Sequence, residues 1–192
     1  MVHLLYYRPR YFYFYEGANF GLMISVNYKT YVKAKITDDK YLTMIGYVGA
    51  IACGLSRIIW GAVLERDTFK FLYYSLAIVN AFLAFTVYFI NGIKEIYFAY
   101  VVLAYICYGG HLGMFPAVTS QIFGVRYGPQ IYGILFYAFP VSNFIQYLLV
   151  NYVEQGYFVI FKISGVMSIC ALLMVKRLEL KYDWSQRIRE HN

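Results

Sequence analysis

The chain has 192 residues, of which 61% are hydrophobic and only 14% charged, and it carries a formal net charge of +7. Soluble domains usually hold about 25% charged residues, so this deficit excludes an ordinary soluble globule and points to lipid as the solvent. No basic stripe stands apart from the apolar runs, so the positive excess reads as juxtamembrane loops and not as a nucleic-acid surface. The 23 tyrosines and 16 phenylalanines fit rings at the headgroup level or along a cavity, and equally a biased genome composition.

Six apolar segments follow one another, each near the roughly 20 residues that a helix needs to cross a bilayer. The first runs from Tyr11 to Tyr28, interrupted by Glu16-Gly17 and Asn19, and the polar stretch Lys29 to Lys40 follows it. The second runs from Tyr41 to Leu64, the third from Phe69 to Ile90, and the fourth from Ile96 to Phe123. Gly128-Pro129 restarts the chain, with proline at a natural first helical position, and the fifth segment ends near Tyr152. The sixth covers Tyr157 to Val175. Short alternating barrel strands would look different, so the expectation is an all-α membrane protein with six transmembrane helices. It divides into an N-terminal segment 1–10, a bundle 11–175 and a basic tail 176–192.

An even number of spans puts both termini on one side of the bilayer. That side holds Arg8, Arg10, Arg66, Lys70, Arg126 and the tail cations, so the positive-inside bias places both termini in the cytoplasm. The start of the chain shows no small-residue cleavage site, and the first span is expected to serve as its own insertion signal.

Arg57 lies mid-way along the second segment. An arginine near a bilayer centre costs roughly 2.5–3.5 kcal/mol on insertion scales, so it must face a cavity or a partner. One reading is a fixed cation in a water-filled path, whose planar donors match a carboxylate in two parallel hydrogen bonds. The other is a structural pair with Glu16 or with backbone carbonyls. Cys53 and Gly61, four residues to either side, share its helix face. Asn27, Tyr105, His111 and Asn143 are the polar residues that could line the same face beside it.

The run Tyr108-Gly109-Gly110-His111-Leu112-Gly113-Met114-Phe115-Pro116 interrupts the fourth segment with small residues and a proline. Pro116 predicts a kink. The glycines fit either a broken helix facing a cavity or close helix packing. Cys53, Cys107 and Cys170 are isolated within apolar runs and read as small buried hydrophobes. No haem-type histidine pair, cysteine cluster, phosphate loop or nucleophilic triad occurs, so no metal, no cofactor and no enzymatic activity is expected.

The segment Gly61-Ala62-Val63-Leu64-Glu65-Arg66-Asp67-Thr68-Phe69-Lys70 resembles the loop pattern G-x-x-x-D-R-x-G-R/K-R/K of the major facilitator superfamily, with Glu65 in place of Asp and with departures at Thr68 and Phe69. It looks like the degenerate copy between helices eight and nine. The run from Gly109 to Pro116, continuing through Tyr132-Gly133, is similar to helices ten and eleven of the oxalate/formate antiporter and monocarboxylate transporter branch. The resemblance covers nearly the whole chain as the C-terminal six helices of a twelve-helix transporter. It implies a half with a nested three-plus-three repeat, Arg57 as substrate-binding arginine, and Gly61, Glu65, Arg66 and Lys70 as a conformational motif. The implied partners are the lipid bilayer, a small organic anion, and either a missing six-helix half or a second copy. Two departures matter: Cys53 stands where monocarboxylate transporters carry an aspartate, and no lysine of the eleventh helix occurs between Arg126 and Lys162. A small monocarboxylate fits one intramembrane cation better than a dianion does. The rival reading is a truncated, non-transporting membrane protein that binds a partner or senses a ligand.

Overall fold

The structure is a computed structural model that describes residues 19–66, 69–90, 92–153 and 156–177. Six helices carry these residues: α1 Asn19–Val32, α2 Asp39–Arg66, α3 Phe69–Ile90, α4 Lys94–Phe136, α5 Ala138–Tyr152 and α6 Gly156–Arg177. There is no strand among the described residues. Five stretches are long and apolar enough to span a membrane: Asp39–Glu65, Phe69–Ile90, Lys94–Gln121, Arg126–Tyr152 and Gly156–Leu173. These match the second to sixth apolar segments to within a few residues. The first segment begins outside the described residues, as does Glu16, and contributes the 14 described residues of α1.

The sequence expectation needs correction at the α1–α2 connection. The helix does not end at Tyr28 but runs on to Val32, with Lys29 in its last turn, where a cation is favourable to the helix dipole. The polar connection is correspondingly short. Ile36 is buried within it and its amide bonds the Val32 carbonyl at 2.9 Å. Asp38 then caps α2, accepting the Tyr41 amide at 3.1 Å on Oδ1, and Asp39 occupies the first turn, where a carboxylate meets the positive end of the helix dipole. Asp39 also pairs with Lys29 at 2.8 Å, tying the end of α1 to the start of α2.

The kink expected at Pro116 is not seen, while the break in α4 falls next to Phe123, where the fourth segment was expected to end. Backbone geometry stays helical through Pro116 and leaves the helical region at Gly124, with φ 80 and ψ 161. In the turn after the proline, the Thr119 hydroxyl reaches the carbonyls of Phe115 and Pro116 at 2.9 and 3.0 Å. Gly124 takes a positive φ that a side chain would disfavour, and so the chain reverses there, four residues before Gly128. The fifth span is itself interrupted at Tyr137. Pro140 accounts for this: its ring clashes with the carbonyl of Phe136 and it supplies no amide, so α5 starts afresh.

The helices bury two apolar cores, one toward each end of the bundle. Phe20, Met23, Leu42, Ile45, Leu83, Val87, Tyr97 and Phe161 form the core near the α1–α2 connection. Leu64, Phe69, Leu72, Tyr73, Met114, Phe115 and Ala171 form the core near the α2–α3 turn. Helix α2 packs chiefly on α4, and α3 chiefly on α6. Lipid tails are as apolar as leucine, so such contacts rest on close van der Waals fit, which small residues permit. Gly21 of α1 is such a residue: a Cβ there would stand 2.7 Å from the Cβ of Tyr108.

Candidate functional site

The seam between α2 and α4 sets the site. Leu42, Ile45, Gly49, Cys53, Ser56 and Leu64 are the buried line of α2, at helical spacing. Opposite them, a Cβ on Gly113 would stand 2.7 Å from the Arg57 carbonyl oxygen, and one on Gly109 would collide with the Cys53 carbonyl and the Ser56 hydroxyl. Two glycines one turn apart therefore sit directly on the turn Cys53 to Arg57. Of the two sequence readings of this glycine run, the observed geometry is that of close packing within a continuous helix.

Arg57 leaves this seam at its edge, next to the buried Ser56, and its side chain is exposed. Its Nη2 lies 4.0 Å from the Cys53 sulfur. No carboxylate pairs with it among the described residues. Tyr108, in the first arm of α4, and Tyr132, in the second arm beyond Gly124, lie within electrostatic range of the guanidinium. Tyr108 and Tyr132 were given no role by sequence reasoning. Only the adjacency of Tyr108 to the Gly109-Gly110 pair marked it, and Tyr132 entered only with Gly133 in the resemblance to helices ten and eleven.

The other candidates divide. Tyr105 is half-buried on the same α4 face, its ring against Gly49 of α2, but its hydroxyl donates to the Ser25 carbonyl at 3.1 Å. Asn27 is half-buried on α1 and donates to the Met23 carbonyl at 3.2 Å. Asn143 is half-buried on α5. His111 sits elsewhere: it is fully buried against Tyr73 of α3 and Phe115, with ring centroids at 5.7 and 5.5 Å. Its Nδ1 meets the Cys107 carbonyl at 3.1 Å, and its Nε2 has no partner among the described residues. His111 therefore belongs to the α3–α4 core. The structure brings Arg57 together with Cys53, Tyr108 and Tyr132 and does not bring it to His111.

For the turn motif, Glu65 is exposed at the end of α2 and no ion pair holds it among the described residues. Arg66 ends the helix and Lys70 is half-buried in the first turn of α3. Nothing lies within 4 Å of a Cβ placed at Gly61, nor at Gly54. Both face away from α4, on the side of α2 where Tyr47, Ile51, Leu55 and Ile58 are exposed. Helix α5 is likewise open, with Val141, Phe144, Ile145 and Tyr147 exposed. Among the described residues, no group of His, Cys, Asp and Glu could hold a metal ion.

Such helices, apolar on their outer faces and closely packed through glycine, define an all-helical integral membrane protein with several spans. Among curated proteins, the chain is similar to Apicoplast pyruvate carrier 2 of Toxoplasma gondii, with 22% identity over 142 residues. The match covers 72% of this chain and 21% of that protein, so the chain spans about a fifth of the length of the relative it matches. No protein-family model matches the chain, and no solved structure matches it.

Proposed function

We propose that this chain moves a small monocarboxylate across a membrane by alternating access, as one half of a larger carrier of the major facilitator type. The observation that carries the reading is Arg57: a cation within a candidate span, exposed, and paired with no carboxylate among the described residues. Such a charge is costly in the bilayer unless an anion or water meets it, and a carboxylate is the geometric match for its fork. The similarity to a pyruvate carrier supports the same substrate class. With a single cation at the site, a monoanion is favoured over oxalate.

The exposed faces of α2 and α5 are the surfaces that a complementary six-helix half, or a second copy, would cover. Gly54 and Gly61 leave room on α2 for a helix to approach. Transport belongs to the paired assembly, because a carrier cavity lies between repeats. The alternative, a non-transporting half that binds a partner, keeps the same open faces and makes no use of the arginine. Vesicles containing the assembled protein should accumulate radiolabelled pyruvate, lactate or formate well above empty vesicles, with oxalate a poor substrate. Accumulation of none of the four would discard the carrier reading.

Both termini are placed in the cytoplasm on the charge bias, which puts the connections at Asp38 and Lys94 on the opposite side. With Cys170 replaced by serine to lower the background, a membrane-impermeant maleimide should label Asp38→Cys and Lys94→Cys on intact cells or organelles. Ser185→Cys should react only after permeabilisation. The inverse pattern would reverse the orientation.

A further inference from the structure

The reversal at Gly124 brings rings from both arms of α4 and from α5 into one arc beside Arg57. Tyr108 stands edge-on to Phe139 with centroids 6.4 Å apart, Phe139 meets Phe136 at 5.1 Å, and Phe136 meets Tyr132 at 5.7 Å. Phe139 is buried and forms the floor, while Phe136 is 40% exposed and forms the rim. The arc is fixed at one end to the α2–α4 seam, because Tyr108 precedes the Gly109 that sits on Cys53.

One polar group of this arc is left over. The half-buried tyrosines of α4 elsewhere use their hydroxyls internally: Tyr105 bonds Ser25, and Tyr100 shares a 2.5 Å contact with Thr86. The buried Tyr97 likewise donates to Tyr28 at 2.7 Å. The Tyr108 hydroxyl has no partner among the described residues. Its oxygen is not shut away inside the bundle, so this donor is open to a ligand. It lies in the field of the Arg57 guanidinium.

We infer that Tyr108, Phe139, Phe136 and Tyr132 form an aromatic receptor for the body of the anion held by Arg57, and that its preferred ligand is a 2-oxo monocarboxylate bearing an aryl group. This rests on the carboxylate reading of Arg57. The carboxylate meets the guanidinium, the Tyr108 hydroxyl donates to the 2-oxo oxygen, and the aryl ring lies against Phe136 and Phe139. Offset and edge-on ring contacts reward a flat unsaturated body beyond the apolar area they bury. A methyl group, as in pyruvate, leaves most of the arc unused.

Competition against radiolabelled pyruvate on the assembled protein in lipid nanodiscs tests this directly. Phenylpyruvate should displace the label at least tenfold more effectively than unlabelled pyruvate does, and 3-phenylpropionate, which lacks the oxo group, should fall between them. Phe136→Ala, at the exposed rim where truncation leaves no buried void, should reduce the tenfold advantage to within about twofold. Tyr108→Phe should erase the difference between phenylpyruvate and 3-phenylpropionate. Phe89→Ala, on the exposed end of α3, should keep the wild-type ratios and serves as the control for folding. Pyruvate binding without an aryl preference, or an advantage that survives Phe136→Ala, overturns the aromatic receptor and leaves the Arg57 reading standing. Binding of no carboxylate at all overturns both.

Discussion

Arg57→Leu is expected to lower pyruvate uptake at least a hundredfold while the protein still reaches the membrane in wild-type amounts. The direction of the second effect follows from the solvent. Leucine is favourable in the bilayer core, where arginine costs roughly 2.5–3.5 kcal/mol, so insertion can only gain. Arg57 has no carboxylate among the described residues that the substitution would leave orphaned. The substrate, by contrast, loses the guanidinium that would hold its carboxylate. Arg57→Lys separates charge from geometry. An ammonium keeps the attraction but offers no planar fork, and losing one charge-assisted hydrogen bond of about 1.5–3 kcal/mol predicts a ten- to hundredfold fall in uptake efficiency. The measurement is initial uptake rate across a range of pyruvate concentrations in vesicles, normalised to inserted protein. Wild-type rates in Arg57→Leu would make the charge structural, and the carboxylate hypothesis would lose its binding residue.

The spans were legible because charge and apolar length are one-dimensional signals: Glu65-Arg66 and Lys94-Glu95 bound runs of the right length, and helices α2, α3 and α6 fall where those runs are. Boundaries set by hydrogen bonding were less legible. Lys29 looked like the start of a loop, yet it closes α1 and pairs with Asp39. Pro116 looked like a kink within the fourth segment, yet the helix continues through it, and the positive φ falls at Gly124, next to the Phe123 at which the segment was expected to end. The site was legible at Arg57 alone, because an arginine in an apolar run is conspicuous. Its neighbours were not, because adjacency between helices depends on which faces meet. Tyr108 and Tyr132 are 24 positions apart and converge through the Gly124 reversal. His111 stood out as a polar residue in the same run, but it lies on the side of α4 that meets Tyr73 of α3.

Gly113→Leu is expected to disrupt the unit outright, costing about 3 kcal/mol or more. Overpacking a well-filled core usually costs 1–3 kcal/mol because neighbouring side chains can shift. At Gly113 the obstruction is backbone: the first added carbon would already stand 2.7 Å from the Arg57 carbonyl oxygen and 3.1 Å from its Cα, and a rotamer change cannot relieve that. Helix α2 would have to move away from α4 along the seam that sets Arg57, so even Gly113→Ala should weaken both stability and uptake. Gly54→Ala and Gly61→Ala provide the contrast on the opposite side of α2, where nothing lies within 4 Å. Alanine is favoured over glycine in a helix by up to about 1 kcal/mol, so these two should leave the isolated unit as stable as wild type or slightly more so. Thermal unfolding in a mild detergent, followed by the accessibility of buried Cys107 to a thiol-reactive dye, reads all four variants on one scale. Wild-type stability in Gly113→Leu would mean that α2 and α4 do not meet backbone to backbone at Arg57, and the placement of the arginine would fall with it.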